Sequence, residues 1–476
     1  MKTYKRQTIK QAFIFNFIVT LLSKFFAYLR VFSISFFLGL NRQTDVFFIT
    51  FSIFNLILAL RWANEILILP LFVKYRDSIL KRKYLYSYFF SFSLYFGLIV
   101  FFISIVLSFI VPHFFPFSQE YKTLMRDFFL ILSFSAPLVY ITYTFENIFR
   151  GERRFYLFSL FYASLTVIQA IICFLGLYIY KSIYVLPIAT VLAYLIVFIF
   201  IFFLERKKIK LLSLKKVLKG RFLKKLFTIY KDSYLNYVAQ KLRISTDNYF
   251  GSFLKESQVS ALNFAYFLNG SIYSVLKLDI ILMTKIAEST VFYTLLKTIF
   301  YSSLITFFVA FLIYFFSYDI VKVLFEYGHF KGKDTLLVSS LLKIAIFLLP
   351  VGTLISIFSR YYFIKDKIKL TVKVSFISVV INAILNYIFI FKFNLAAKGL
   401  ILATLLSTIF ALLFYMIHTS LVEEKKLINL IKLLAYLLFS IFITFIFSKI
   451  IYILVHPFVE KLTTSLHNFL KNLISF

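Results

Sequence analysis

Long apolar runs alternate with short, mostly basic stretches from one end of the chain to the other. Crossing roughly 30 Å of hydrocarbon takes about 20 residues of helix. Runs of that order cover 12–36, 45–73, 86–111, 127–147, 156–180, 184–204, 233–253, 261–284, 298–317, 337–358, 374–392, 399–418 and 433–455. An open strand in lipid leaves its backbone groups unpaired, so the pattern predicts about thirteen transmembrane helices. The tail, 456–476, carries Glu460, Lys461, His467 and Lys471 and is expected to be an interfacial amphipathic segment rather than a fourteenth span. The expected fold class is an all-α polytopic membrane protein.

Composition agrees. Of 476 residues, 61% are hydrophobic and 15% charged, against roughly 45–50% and about 25% in soluble domains. No single core hides that much apolar surface, which excludes a soluble enzyme and the disordered and disulfide-rich secreted classes. The net charge of +33 would suggest nucleic acid in a soluble protein. Here the cations lie mainly in the short loops, where they set topology and meet anionic lipid headgroups. Lys2, Lys5, Arg6 and Lys10 precede the first run without a small-residue cleavage site, so it reads as a retained helix. With the N-terminus in the cytoplasm, the basic segments 74–83, 150–154, 205–232, 360–373 and 423–432 all fall inside, as the positive-inside rule expects. Cys173 is the sole cysteine, so no disulfide within the chain and no cysteine-based metal site is expected.

The longest basic loop, "ERKKIKLLSLKKVLKGRFLKK", reads as an amphipathic helix on the cytoplasmic face. It divides the chain into an expected six-helix bundle (1–204), a linker (205–232), a second six-helix bundle (233–418), and a C-terminal part (419–476) with one further helix and the tail. Shifting by 216 positions overlays Leu38 on Leu254, Phe48 on Phe264 and Arg61 on Lys277. That register suggests parallel repeats about an axis along the membrane normal.

A charge inside a span costs at least about 2.5–3.5 kcal/mol and normally faces a wet interior or a partner. Lys24 and Arg30 lie in the first run; Asp45 opens the second, which also holds Arg61 and Glu65. Asp247 lies in the seventh, beyond Lys241 and Arg243, which read as juxtamembrane; Lys277 and Asp279 lie in the eighth. No comparable cluster marks the third, fifth, sixth, eleventh or twelfth runs. The first two helices of each half are therefore expected to line a central cavity of positive character. Each residue also has a plainer reading. Arg61 and Glu65 are spaced for an intrahelical pair, Lys24 is near enough to the surface to snorkel, and Asp45 sits where a carboxylate complements a helix dipole. The five histidines lack ligand spacing, and no Walker A pattern or catalytic triad signature is present. The expectation is a transporter, not an enzyme, without a metal or cofactor.

The segment "LLSKFFAYLRVFSISFFLGLNRQTDVFFITFSIFN" resembles the start of the MurJ/MviN lipid II flippase family. "QVSALNFAYFL" is similar to that family's eighth-helix start, "FEYGHFKGKDTLLVSSLL" to its loop and tenth-helix start, "SRYYFIKDKIKLTVKVSFISVVINAILNYIFI" to the segment through helix eleven, and "AAKGLILAT" to the start of helix twelve. The ordered set also resembles the wider superfamily of Wzx-type polysaccharide flippases and MATE exporters. On this resemblance Lys24 replaces a cavity arginine, Arg30 matches one and Asp45 matches an aspartate. The second-helix arginine position falls at Leu58, one turn before Arg61; the eighth-helix arginine position falls at Phe267, almost three turns before Lys277.

The resemblance implies two six-helix bundles around a central cavity, with one or two C-terminal helices. It also implies movement of an undecaprenyl-diphosphate-linked saccharide, lipid II-like, from the inner to the outer leaflet of a bacterial cytoplasmic membrane by alternating access. Lys24, Arg30, Arg61 and Lys277 are the expected diphosphate and saccharide ligands; Asp45, Glu65, Asp247 and Asp279 balance charge or couple an ion. The membrane potential, with H⁺ or Na⁺ coupling, would drive the cycle of an expected monomer. A Wzx-like exporter of capsule or O-antigen units is the alternative, and a MATE-like cation exporter a more distant one.

Overall fold

The computed structural model describes residues 9–75, 78–219, 231–276, 292–365 and 367–474, and every regular element among them is helical. The chain forms two compact units, each assembled from two pieces: Met1–Leu38 with Val46–Lys241, and Gly39–Asp45 with Leu242–Phe476.

In the first unit, α1 (Ile9–Phe37) is followed by α2 (Arg42–Ile57), a 3-10 turn (Leu58–Arg61) and α3 (Trp62–Lys74). Then come α4 (Ile79–Ile110), α5 (Gln119–Ser133), α6 (Ser135–Gly151), α7 (Phe155–Tyr180), α8 (Val185–Glu205), the short α9 (Leu214–Leu218) and the start of α10 (Lys231–Gly251). Its core is aromatic. Phe72 of α3 meets Tyr86 of α4 edge-on at 5.4 Å between centroids, and Phe149 of α6 stacks on Phe161 of α7 at 5.6 Å. The second unit takes the rest of α10, then α11 (Gln258–Leu276), α12 (Phe292–Phe325), α13 (Gly332–Ala345), α14 (Leu348–Ile364), α15 (Ile368–Tyr387), α16 (Ala396–Ile417) and α17 (Leu427–Ile474). Both α15 and α16 end in a π-helical turn, Ile388–Lys392 and His418–Glu423.

Nine stretches among the described residues are long and apolar enough to cross a membrane, and the bent pair α5/α6 makes a tenth. Within the described residues the other three expected spans are helical too. The second is interrupted by the 3-10 turn, and α10 and α11 are too polar or too short within the described residues to qualify alone.

Each half breaks its fourth long stretch in the same way. In "FSAP" and "FLLP" a phenylalanine, Phe134 or Phe347, precedes a proline by three residues. Proline lacks an N–H, and its ring collides with the carbonyl four residues back. The helix gives way at that point: the N–H groups of Phe134 and Phe347 each bond to the carbonyl three residues back, at Ile131 and Ile344. The α5/α6 bend is 42°. Only a glycine lets α4 approach it, since a Cβ on Gly97 would stand 2.5 Å from Pro137 Cα.

The linker differs from the expected surface helix. Within the described residues it contains only a 3-10 turn at Arg206–Lys208 and the five-residue α9. Between them the chain is extended and pinned along α4. Lys210 N donates to Ser87 Oγ at 3.0 Å and Leu212 N to Ser91 Oγ at 2.9 Å, while Tyr95 Oη donates to the Leu212 carbonyl at 2.9 Å.

The tail also differs. It is not a separate amphipathic element, because α17 runs unbroken for 48 residues with Pro457 inside it. Ser440, Thr444 and Ser448 recur every four residues and are buried. Their small side chains let α17 press against α12, with Ser303 Oγ donating to Ser440 Oγ at 2.8 Å. Farther along, the His467 ring stacks on Tyr327 at 5.0 Å.

In the first unit, Arg154 in the α6–α7 turn reaches Glu205 at the end of α8 at 2.5 Å and Glu152 at 3.4 Å. Arg82 and Lys208 add further pairs. The second unit repeats the device in the corresponding turn: Lys367 and Lys365, after α14, pair with Glu423 at the end of α16 at 2.5 and 3.6 Å.

Candidate functional site

In the first unit, charged side chains collect around one tyrosine. Arg30 of α1 and Arg61 at the end of the 3-10 turn both stand close enough to Tyr194 of α8 for its hydroxyl to feel each charge, as does Glu146 of α6. Arg61 also lies 5.8 Å from the centroid of Tyr143 of α6, over its face, and is hydrogen-bonded with Tyr237 of α10. Lys241, on the same helix, feels the Arg61 charge and sits over the Tyr237 ring at 5.5 Å. Lys241 and Arg243 are both half-buried, about three turns into α10.

Two features give this group its chemistry. Arg61 and Lys241 are like charges close enough to feel one another, a repulsion that a nearby anion relieves. Among the described residues, the buried Nε–H groups of Arg30 and Arg61 have no acceptor, and a buried unpaired donor is a costly rarity. A guanidinium offers its donors in a planar fork that matches phosphate oxygens. Such a group of donors has the chemistry to receive an anion.

Arg30 is itself held in place. Its Nη1 donates to Gln169 Oε1 of α7 at 2.8 Å, Gln169 Nε2 donates to Thr190 Oγ1 of α8 at 2.8 Å, and Thr190 Oγ1 donates to the Leu186 carbonyl at 3.0 Å. Lys24 lies half-buried on α1, six residues earlier, so it leaves the helix roughly 120° round from Arg30. The Glu65 side chain, Lys277 and Asp279 lie outside the described residues.

Asp45 is occupied differently. Fully buried in the second unit, it accepts from Ser257 N at 2.8 Å, from Ser260 N at 2.7 Å and from Ser260 Oγ. It therefore caps the start of α11, a helix about two hundred residues away in sequence, while standing 4.0 Å from Arg42 in its own first turn. Ser257 Oγ closes the same contact on the Leu40 carbonyl at 2.8 Å.

Asp247 forms the second polar centre. Four side chains donate to its buried carboxylate: Asn386 at 2.8 Å and Asn382 at 3.1 Å from α15, Thr404 of α16 at 2.6 Å, and Tyr266 of α11 at 3.0 Å. Among the described residues, no donor reaches the buried Asn386 Oδ1. One turn before Asp247, Arg243 donates to Thr408 at 3.1 Å. Charge-based reading of the sequence finds Asp247 but none of its neutral partners; the i, i+4 pair Asn382/Asn386 inside an apolar run is the signal that would have exposed them.

The family described as lipid II flippase MurJ matches residues 34–472. A relative from Aquifex aeolicus (strain VF5), named probable lipid II flippase MurJ, is 27% identical over 213 residues, covering 44% of this chain and 42% of the relative. The matched stretch thus spans less than half of that relative's length. Among solved structures, a lipid II flippase MurJ in an inward closed conformation superposes with a TM-score of 0.77 at 21% identity, covering 97% of this chain and 100% of the other. An outward-facing multidrug resistance MATE transporter gives 0.59 at 16% identity, covering 90% and 97%. A MOP superfamily transporter from Pyrococcus furiosus gives 0.59 at 15%, covering 89% and 100%. These three are likenesses of fold.

Proposed function

The chain belongs to the lipid II flippase MurJ family, and from that premise we propose that it carries a lipid II-like, diphosphate-linked saccharide from the inner to the outer leaflet of a bacterial cytoplasmic membrane. The observation that carries the proposal is the gathering of Arg30 and Arg61 at Tyr194, each with a buried donor that no described residue accepts. A sugar headgroup cannot shed its water to enter hydrocarbon, because each unpaired polar group costs several kcal/mol. A polar interior lined by arginines, a lysine and tyrosine hydroxyls replaces that water, while the lipid tail stays among lipid chains. Arg30 and Arg61 would grip phosphate oxygens, with Lys241 adding a point charge. Lys24 and Lys277 are the further cations we assign to headgroup binding.

With the cytoplasm negative, outward passage of an anion gains roughly 2.3 kcal/mol per charge per 100 mV. That contribution supports export without a nucleotide, and rocking of the two six-helix bundles would alternate access. We assign ion coupling to Asp247, because a carboxylate held by four neutral donors gains or loses a proton or sodium ion without breaking a fixed ion pair. Asp279 and Glu65 are assigned to charge balance. The working form is a monomer with its N-terminus in the cytoplasm.

The test is translocation of fluorescent lipid II in proteoliposomes. Arg30→Ala and Arg61→Ala should each abolish it while the purified protein keeps its thermal unfolding midpoint. Wild-type rates in both variants would remove the arginine pair from the mechanism. Asp247→Asn should make the remaining rate insensitive to imposed H⁺ and Na⁺ gradients; a variant as gradient-sensitive as the wild type would exclude Asp247 from coupling.

A further inference from the structure

We infer that Gln169 is a positioning residue that aims the Arg30 guanidinium at an anionic headgroup while leaving its charge unspent; this deepens, and rests on, the reading of the first unit as a diphosphate-binding site. The argument is one of hydrogen-bond direction. A threonine hydroxyl has a single hydrogen. Thr190 gives it to the Leu186 carbonyl at 3.0 Å, one turn back on α8. Its oxygen is left to accept from Gln169 Nε2 at 2.8 Å. The amide therefore faces Thr190 with its nitrogen and Arg30 with its oxygen, which accepts from Nη1 at 2.8 Å. The opposite amide orientation would set an NH₂ against a guanidinium. A backbone carbonyl on α8 thus dictates, through two side chains, which way the arginine of α1 points.

The chemical identity of the holder matters. A glutamate at 169 would neutralise the arginine and compete with the ligand for it. An amide oxygen is a good acceptor without net charge, so the cation is oriented and still attracts an anion. Arg30 retains its Nε–H for that purpose, buried and without an acceptor among the described residues. The frame is stiff: Phe37 of α1 packs edge-on against Phe174 and Tyr178 of α7 at 5.8 and 6.3 Å.

A double-mutant cycle tests this on the full-length protein in nanodiscs, with undecaprenyl diphosphate as the probe and thermal unfolding measured in parallel. Gln169→Leu should weaken binding about tenfold in the wild-type background, the scale of one lost hydrogen bond. It should weaken binding no further in the Arg30→Ala background, because a residue that acts only through Arg30 has nothing left to position. Gln169→Glu should weaken binding more than Gln169→Leu. Thr190→Val, which breaks the relay one step away from Arg30, should give a smaller loss that also vanishes with Arg30→Ala. Equal losses from Gln169→Leu in both backgrounds, or none in either, would overturn the assignment while leaving the site intact. Unchanged binding in Arg30→Ala alone would instead overturn the reading of the site.

Discussion

Replacing Asp45 by alanine should destabilise the second unit, and the structure sets the size of the effect. The carboxylate is fully buried and accepts two backbone N–H groups and one hydroxyl at the start of α11. Removal strands the N–H groups of Ser257 and Ser260 away from water. Each stranded donor costs about 1–3 kcal/mol, and lost caps of this kind cost about 0.5–2 kcal/mol in soluble helices. The losses overlap, so a total of about 3 kcal/mol is expected from Asp45→Ala. For a domain of about 150–250 residues that corresponds to roughly 6–12 °C in unfolding midpoint. Asp45→Asn keeps one acceptor but turns an NH₂ toward a backbone N–H, so it should fall between wild type and alanine; Ser260→Ala, which removes only the hydroxyl, should cost least. Fluorescence-detected thermal unfolding of the three purified variants reads that order. The reasoning fails if Asp45→Asn unfolds with the wild type and yet stops translocation, for then the carboxylate serves transport rather than the cap.

Other consequences can be checked more briefly. Glu205→Gln should cost about 1.5–3 kcal/mol, because it takes from the buried Arg154 guanidinium its nearer counter-charge and leaves only the longer pair with Glu152; pairing it with Arg154→Met should restore most of the loss in the same unfolding assay. Gly97→Leu should abolish accumulation of folded protein, since even its Cβ would collide with Pro137, whereas Gly270→Ala and Gly352→Ala face open space and should be tolerated or mildly stabilising by expression level and unfolding midpoint. Tyr95→Phe together with Ser87→Ala should release the linker from α4. Trypsin should then cut between Lys210 and Lys219 faster than in the wild type; equal rates would mean that these contacts do not hold the segment.

Much of the fold could be read from residue type because hydrocarbon imposes a coarse rule on a span, about twenty apolar residues in a row. The broken spans needed a finer rule. Pro137 and Pro350, each three residues after a phenylalanine, mark the two breaks in the sequence itself. The 3-10 turn that ends at Arg61 has no comparable mark. The continuity of the tail with the helix before it is not legible, because Glu460, Lys461 and Lys471 draw attention while the Ser440/Thr444/Ser448 stripe that seats α17 on α12 carries no charge. The extended stretch between Arg206–Lys208 and α9 is not legible either, because periodicity in Lys and Leu carries no information about Ser87, Ser91 and Tyr95, which bind its backbone. In the candidate sites, a search for charges locates Arg30, Arg61 and Asp247. Their working partners are neutral: Gln169, Thr190, Tyr194, Asn382, Asn386 and Thr404 incur little penalty in an apolar run and leave no charge to find.

The 3-10 turn that delivers Arg61 also ends one residue before the only tryptophan in the chain, Trp62. The protein therefore carries an optical reporter one residue from Arg61 along the chain, with no label and no competing indole. Excited at the red edge, its emission isolates this one locus in a chain of 33 tyrosines. A titration with phosphate-bearing lipid becomes a direct spectroscopic measurement on the unmodified polypeptide.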